Sequence, residues 1–202
     1  MSDRYVSFAE CAQQEREHVD FRVCCVDRGS SIAIVAPHGG GIEPGTSELV
    51  EAIAGNTFSF YLFEGLKSRD NRTLHIASHR FNEPRCLALV EGAATVITIH
   101  GEQSEEEVVF LAGRDEVSAR RIADYLQAYN FQVRRHEDIG LQGRSRQNIC
   151  NRGFTGKGVQ LEIARGLRQT FFASLNRSGR TSKTRQFDNC VTALRKAIAE
   201  MP

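Results

Sequence analysis

Two short apolar runs constrain this chain more than any other feature. Residues 31–36 (Ser-Ile-Ala-Ile-Val-Ala) and 94–99 (Ala-Thr-Val-Ile-Thr-Ile) are rich in β-branched residues and bounded by turn formers. They read as fully buried strands. The first stops at Pro37 and a glycine-rich turn over 38–45; the second stops at His100-Gly101. Strands buried on both faces need a layer of helices on each side, which points to an α/β architecture.

The remaining pattern agrees. Further strands are predicted at 58–63, 74–77, 108–112, 131–133 and 158–163. Helices are predicted at 7–19, from a cap at Thr46 or Ser47 through Ala54, from Pro84 through Val90, at 115–129 and at 186–200. Strands and helices alternate, so residues 1–202 are expected to form a single α/β domain with a mixed central sheet flanked by helices. With 41% hydrophobic and 25% charged residues the chain can form a core, which excludes a disordered protein. No run approaches the ~18 apolar residues of a membrane span. The six cysteines form no C-x-x-C pair, and Cys24-Cys25 are adjacent, so free, mostly buried thiols are expected.

Net charge is +1 but unevenly distributed. Residues 1–133 carry 12 basic and 20 acidic side chains, a balance of −8; residues 134–202 carry 14 and 5, a balance of +9. A basic C-terminal third predicts an anionic partner without choosing among nucleic acid, phosphate and an acidic polymer.

In open α/β sheets, ligands gather at the carboxyl ends of strands. His38 and His100 stand there. Three glycines after His38 let the backbone fold tightly, so that His38 and Glu43 can turn toward one point. Two residues from one loop plus a distant histidine, His100, match a three-ligand catalytic zinc site with a fourth position open to water. On the residues alone the alternative, two structural histidines, stays open. The spacing is not that of H-E-x-x-H. A lipase-type oxyanion loop would require a G-x-S-x-G elbow, and Gly143-Arg144-Ser145-Arg146-Gln147 lacks the second glycine; a phosphate loop would require a Walker lysine, which is absent. Glu162 is independently notable, because a carboxylate in the apolar run 159–163 is costly unless used or paired, with Arg165 or Arg168 as the pairing alternative.

Five blocks together resemble a known family. They are His38-Gly39-Gly40-Gly41-Ile42-Glu43-Pro44-Gly45-Thr46-Ser47-Glu48; Leu74-His75-Ile76-Ala77-Ser78 with Phe81-Asn82-Glu83-Pro84; Ile99-His100-Gly101; residues 148–153; and residues 158–168. In this order, over roughly residues 31–170, the chain resembles the phage and bacterial poly-γ-glutamate hydrolases, zinc enzymes whose core is similar to that of metallocarboxypeptidases. Histidine and glutamate stand five apart here, not three apart as in carboxypeptidases. The resemblance implies a zinc-carboxypeptidase-like fold and a Zn2+ cofactor on His38, Glu43 and His100. It also implies that Glu162 is the catalytic carboxylate, acting as general base in hydrolysis of γ-glutamyl amide bonds. The substrate would be an acidic polymer, whose carboxylates Arg152, Arg165 and Arg168 are expected to receive in bidentate forks. His75 either lines the site behind the ligands or packs in the core.

Two other readings are carried. One is a different zinc amidohydrolase or carboxypeptidase-like peptidase acting on another acidic substrate. The other is a polyanion-binding module built on the basic segment 177–185, which has no aromatic residue for base stacking, so no nucleic-acid partner is expected. No membrane association is expected, and oligomeric state is left open. The polar stretch Met1-Ser2-Asp3-Arg4-Tyr5 leads into no apolar segment, so a cytoplasmic location is expected. The family resemblance adds release to the exterior on host lysis for a phage-encoded enzyme.

Overall fold

In a computed structural model, which describes residues 3–201, the two apolar runs lie side by side at the centre of a seven-stranded sheet. Met1, Ser2 and Pro202 lie outside the described residues. The strands are β1 (Phe21–Val26), β2 (Ile32–Gly40), β3 (Ser59–Gly65), β4 (Thr95–Glu102), β5 (Val108–Gly113), β6 (Gln132–Arg134) and β7 (Gly158–Ala164). Their order is β1-β3-β2-β4-β7-β5-β6. The four central strands β3, β2, β4 and β7 are parallel. β1 joins antiparallel at one side, while on the other β5 pairs antiparallel with β7 and parallel with β6. The mixed sheet expected from the pattern is present.

Among the described residues, six α-helices complete the single-domain α/β fold: α1 (Phe8–Gln14), α2 (Thr46–Ala54), α3 (Pro84–Glu91), α4 (Glu116–Ala128), α5 (Arg165–Thr170) and α6 (Arg185–Ala199). Side-chain alternation divides the core in two. Ile34, Ala36, Ile97, Ile99, Leu161 and Ile163 face α2, α4 and α6. Ala33, Val35 and Val96 face the other way, toward Phe8, Phe81, Leu89 and Val90. On β4, His100 follows Val96 by four residues and therefore faces that second side. Its register partner on β7 is Glu162.

Three expectations are corrected. The strand expected at 74–77 is a 3₁₀ turn, Asn71–Leu74, followed by irregular backbone. Its polar groups go to side chains rather than to a ladder: Ala77 N–H donates to Asp3 Oδ2 at 2.8 Å, and Ile76 O lies 2.8 Å from His38 Nε2. The first helix stops at Gln14, not 19, because Glu15 turns away to Tyr5 and Lys67. Neither Thr46 nor Ser47 caps α2, which begins after Gly45. Thr46 Oγ1 donates to Glu43 O, and Ser47 Oγ accepts from Gly40 N–H, so both hydroxyls hold the glycine turn instead. Two elements, β1 and α5, went unread in the sequence.

All six cysteines are free; Cys11, Cys86, Cys150 and Cys190 are buried, while Cys25 is exposed. Among the described residues, no helix is long and apolar enough to cross a membrane.

Candidate metal centre

The site begins with a break in the β2–β3 ladder. Ala36 pairs with Leu62 but Gly39 pairs with Glu64, so β2 carries one extra residue over Pro37-His38. Pro37 has no N–H to give a ladder, and a bulge re-aims the side chain beside it. The glycines let the chain close behind. A Cβ on Gly39 would lie 2.2 Å from Ser47 Oγ, and Gly40 has φ +63°, the left-handed region. Glu43 is thereby returned to His38, with Glu43 N–H donating to His38 O at 2.9 Å.

Three side chains converge. His38 Nδ1 lies 3.2 Å from Glu43 Oε1 and 3.2 Å from His100 Nδ1; His100 Nδ1 lies 3.8 Å from Glu43 Oε2. All three are buried. Bonds of 2.0–2.1 Å at tetrahedral angles separate zinc ligands by about 3.3 Å. The donor set therefore fits zinc in type and spacing. The backing also fits. His38 Nε2 faces the Ile76 carbonyl, which can only accept, so in the neutral ring Nδ1 carries the lone pair. Gly101 N–H donates to Glu43 Oε2 at 2.8 Å and orients that carboxylate.

His75 is a fourth donor. Its Nε2 lies 3.8 Å from Glu43 Oε1, its Nδ1 is 2.7 Å from Asp3 Oδ1, and its ring lies 4.0 Å from that of His38. Donor atoms of His38, Glu43 and His75 all lie within 4.8 Å of one another. Binding by all four residues would close a tetrahedral site, whereas three leave a vertex for water.

The electrostatics follow from crowding. Burial works against charging His38, but the Glu43 carboxylate more than offsets it, and its pKa rises. Burial likewise raises Glu43, yet the three imidazoles outweigh that and hold it below the usual carboxylate range. His75 is pushed down to about 4, first by the charge on His38 and then by burial. His100 is pushed down to about 3, chiefly by burial.

Glu162 stands across from His100 on the same face. Burial, then repulsion from Glu43, lifts its carboxyl well above the ordinary range. Gln160 Nε2, two residues back on the same face, donates to Glu162 Oε1 at 2.8 Å, and Gln160 is in turn held by Asn148. His38, Glu43, His75, His100, Gln160 and Glu162 line one cavity of about 300 Å³.

The chain matches the model of the poly-gamma-glutamate hydrolase family over residues 5–193. The chain belongs to that family. It is 37% identical to UPF0714 protein YmaC of Bacillus subtilis (strain 168), covering 97% of this chain and 84% of YmaC. It is similar in structure to a bacteriophage poly-gamma-glutamate hydrolase, with a TM-score of 0.95, 28% identity and 98% of each chain covered. It is also similar to YndL solved in a zinc-free apo form, with a TM-score of 0.93, 33% identity and 98% of each chain covered.

In this poly-γ-glutamate hydrolase family member, the structure does not bring the three expected arginines into the cavity. Arg152 pairs with Glu91 at 2.5 Å, and Arg165 with Glu105 at 3.3 Å. Arg168 is 2% exposed and donates to the carbonyls of Ile163, Pro44 and Glu102, tying together two strand ends and the glycine turn. Three of its five N–H donors go to backbone carbonyls, which fixes the guanidinium at the strand ends rather than in the cavity lining. Neither Arg165 nor Arg168 pairs with Glu162. Among the described residues, the arginine that lines the cavity is Arg72, three residues before His75. Sequence reading missed Arg72, Asp3 and Gln160. Only Gln160 carried a local signal, its two-residue spacing from Glu162 on a strand.

Proposed function

We propose that this chain hydrolyses γ-glutamyl amide bonds of poly-γ-glutamate, with zinc held by His38, Glu43 and His100. The observation that carries this reading is the meeting of two imidazole nitrogens and a carboxylate at zinc-ligand spacing, opposite a buried glutamate on the neighbouring strand. The family and the structural neighbours support the substrate class.

Zinc bound there supplies a Lewis acid that lowers the pKa of water and polarises the amide carbonyl. The chain's own groups do the rest. Glu162 accepts the proton of the attacking water and returns it to the leaving nitrogen. A carboxyl whose pKa is raised by burial is suited to both steps, and a nearby dication brings its anion within reach. Gln160 fixes Glu162 Oε1, so that the other oxygen faces the substrate. Arg72 receives the α-carboxylate beside the scissile bond through its guanidinium fork. Asp3 holds the His75 ring against the cluster through Nδ1, and His75 borders the ligands.

The test is hydrolysis of poly-γ-glutamate followed by chain length. Chelation is expected to abolish cleavage and added zinc to restore it. Undiminished cleavage by protein that elemental analysis finds free of metal would overturn the reading.

A further inference from the structure

Beyond the metal centre, a strongly basic concavity lies at the β5–β6 edge of the sheet. A groove of about 300 Å³ is lined there by Arg120, Arg134, Arg135 and Arg144, with Glu116 and Gln142. It exists because β6 pairs with β5 only over Val108–Phe110, which leaves Leu111 and Ala112 without a β6 partner, while Gly113 N–H donates to Gln142 O. All four arginines are exposed. Arg135 and Arg144 share the single Glu116 carboxylate, Arg134 pairs with Glu106, and Arg120 has no ion-pair partner among the described residues. Exposed pairs of this kind are weak, so these guanidinium groups can exchange partners at little cost.

The catalytic cavity has the opposite character. Its charged lining is Glu43, Glu102 and Glu162 against Arg72. Arg72 is there to hold one carboxylate, and without the metal the side chains around it carry no excess of positive charge for a polyanion. The two concavities share a wall: Gly140 and Leu141 line the catalytic cavity, and Gln142 and Arg144 line the groove. That segment reaches at most about 14 Å. A γ-linked glutamyl unit has two more chain bonds than an ordinary peptide unit and advances about 6 Å when extended. Two or three units therefore cover the length of that wall, and each unit carries a free carboxylate.

We propose that the Arg120–Arg134–Arg135–Arg144 groove is a distal subsite that binds successive carboxylates of the polymer and makes the enzyme prefer long chains to short ones. The proposal rests on the hydrolase reading above. Its basis is charge complementarity and the shared wall.

The test is the double variant R120S/R135S, at positions remote from the metal centre, compared with R120K/R135K. Binding of fluorescein-labelled poly-γ-glutamate to chelator-treated protein is read by anisotropy. R120S/R135S is expected to bind about tenfold more weakly, the lysine pair to stay within about threefold of wild type, and high salt to erase the difference. In the zinc-loaded enzyme, kcat/KM on long polymer falls by a similar factor, while that on a γ-linked glutamate dimer, too short to reach the groove, moves less than twofold. Unchanged polymer binding, or equal losses on dimer and polymer, would overturn the subsite. Wild-type protein that binds the polymer through these arginines but cleaves neither substrate would sink the hydrolase reading and leave the groove standing.

Discussion

A histidine can serve a metal only when one ring nitrogen keeps a free lone pair, and the neighbours of His38 leave Nδ1 in that state in the neutral ring. The Ile76 carbonyl occupies Nε2, and Glu43 with His100 faces Nδ1. His38→Ala is expected to lose bound zinc at least a hundredfold, read as metal content after gel filtration; wild-type content would remove His38 from the ligand set. His100→Ala and His75→Ala, compared in the same way, distinguish the ligand from the imidazole beside it, with the larger loss expected for His100. Glu162→Gln keeps its Gln160 contact and its volume but cannot take a proton. It should retain zinc and lose about 10²–10⁴-fold in kcat. Arg72→Ala should raise KM more than it lowers kcat, and Arg72→Lys should recover part of the loss. That His38, Glu43, His100 and Glu162 would come together was readable in the sequence because each stands in a motif: a glycine turn, a strand tip or an apolar run. Arg72 was not, since nothing around it marks which of many surface arginines will face the cavity.

At the scale of elements, the site depends on a bulged strand and a turn with no room for side chains. Gly39→Ala places a Cβ against Ser47 Oγ, and Ser47 is pinned by Gly40 N–H. A loss of about 1–3 kcal/mol is expected in urea denaturation. The segment after Leu74 looked like a strand by composition, yet Asp3 and His38 take its backbone groups. Asp3→Ala frees both Ala77 N–H and the His75 ring. It should weaken zinc binding about tenfold without unfolding the protein, measured by competition with a chromophoric chelator. Arg168 does for strand ends what the glycines do for the turn. Replacement by methionine leaves three carbonyls, Ile163, Pro44 and Glu102, without their donor and should cost about 3 kcal/mol or more.

Over the whole molecule, the charge asymmetry along the chain is partly folded away. Arg134, Arg135, Arg144, Arg152, Arg165 and Arg180 of the basic third all pair with glutamates from the acidic two thirds. Chain position therefore does not give the surface field, which gathers instead in basic concavities such as the β5–β6 groove. Acid stability should depend on Glu15, which joins the N-terminal segment to Lys67. Burial pushes its carboxyl up, but hydrogen bonds from Lys67 and Tyr5 outweigh burial and hold the pKa below its ordinary value. Glu15 therefore binds a proton more readily in the unfolded chain. Its contribution is present above about pH 4.3, the unfolded value, and is lost as pH falls through the folded one. Urea midpoints between pH 6 and 3 should fall less steeply in Glu15→Gln than in the wild type.

The alternation of strands and helices, the two central strands and the residues at their tips were settled by the amino-acid sequence alone, because periodicity, turn chemistry and the cost of a buried charge act within a few residues. The partners of the arginines, the return of Asp3 to His75, the conversion of residues 74–77 from strand to clasp, and the placing of Arg72 were decided only in three dimensions. Each depends on contacts between positions tens of residues apart, such as Asp3 with Ala77 or Arg168 with Pro44, whose pairing no local spacing encodes.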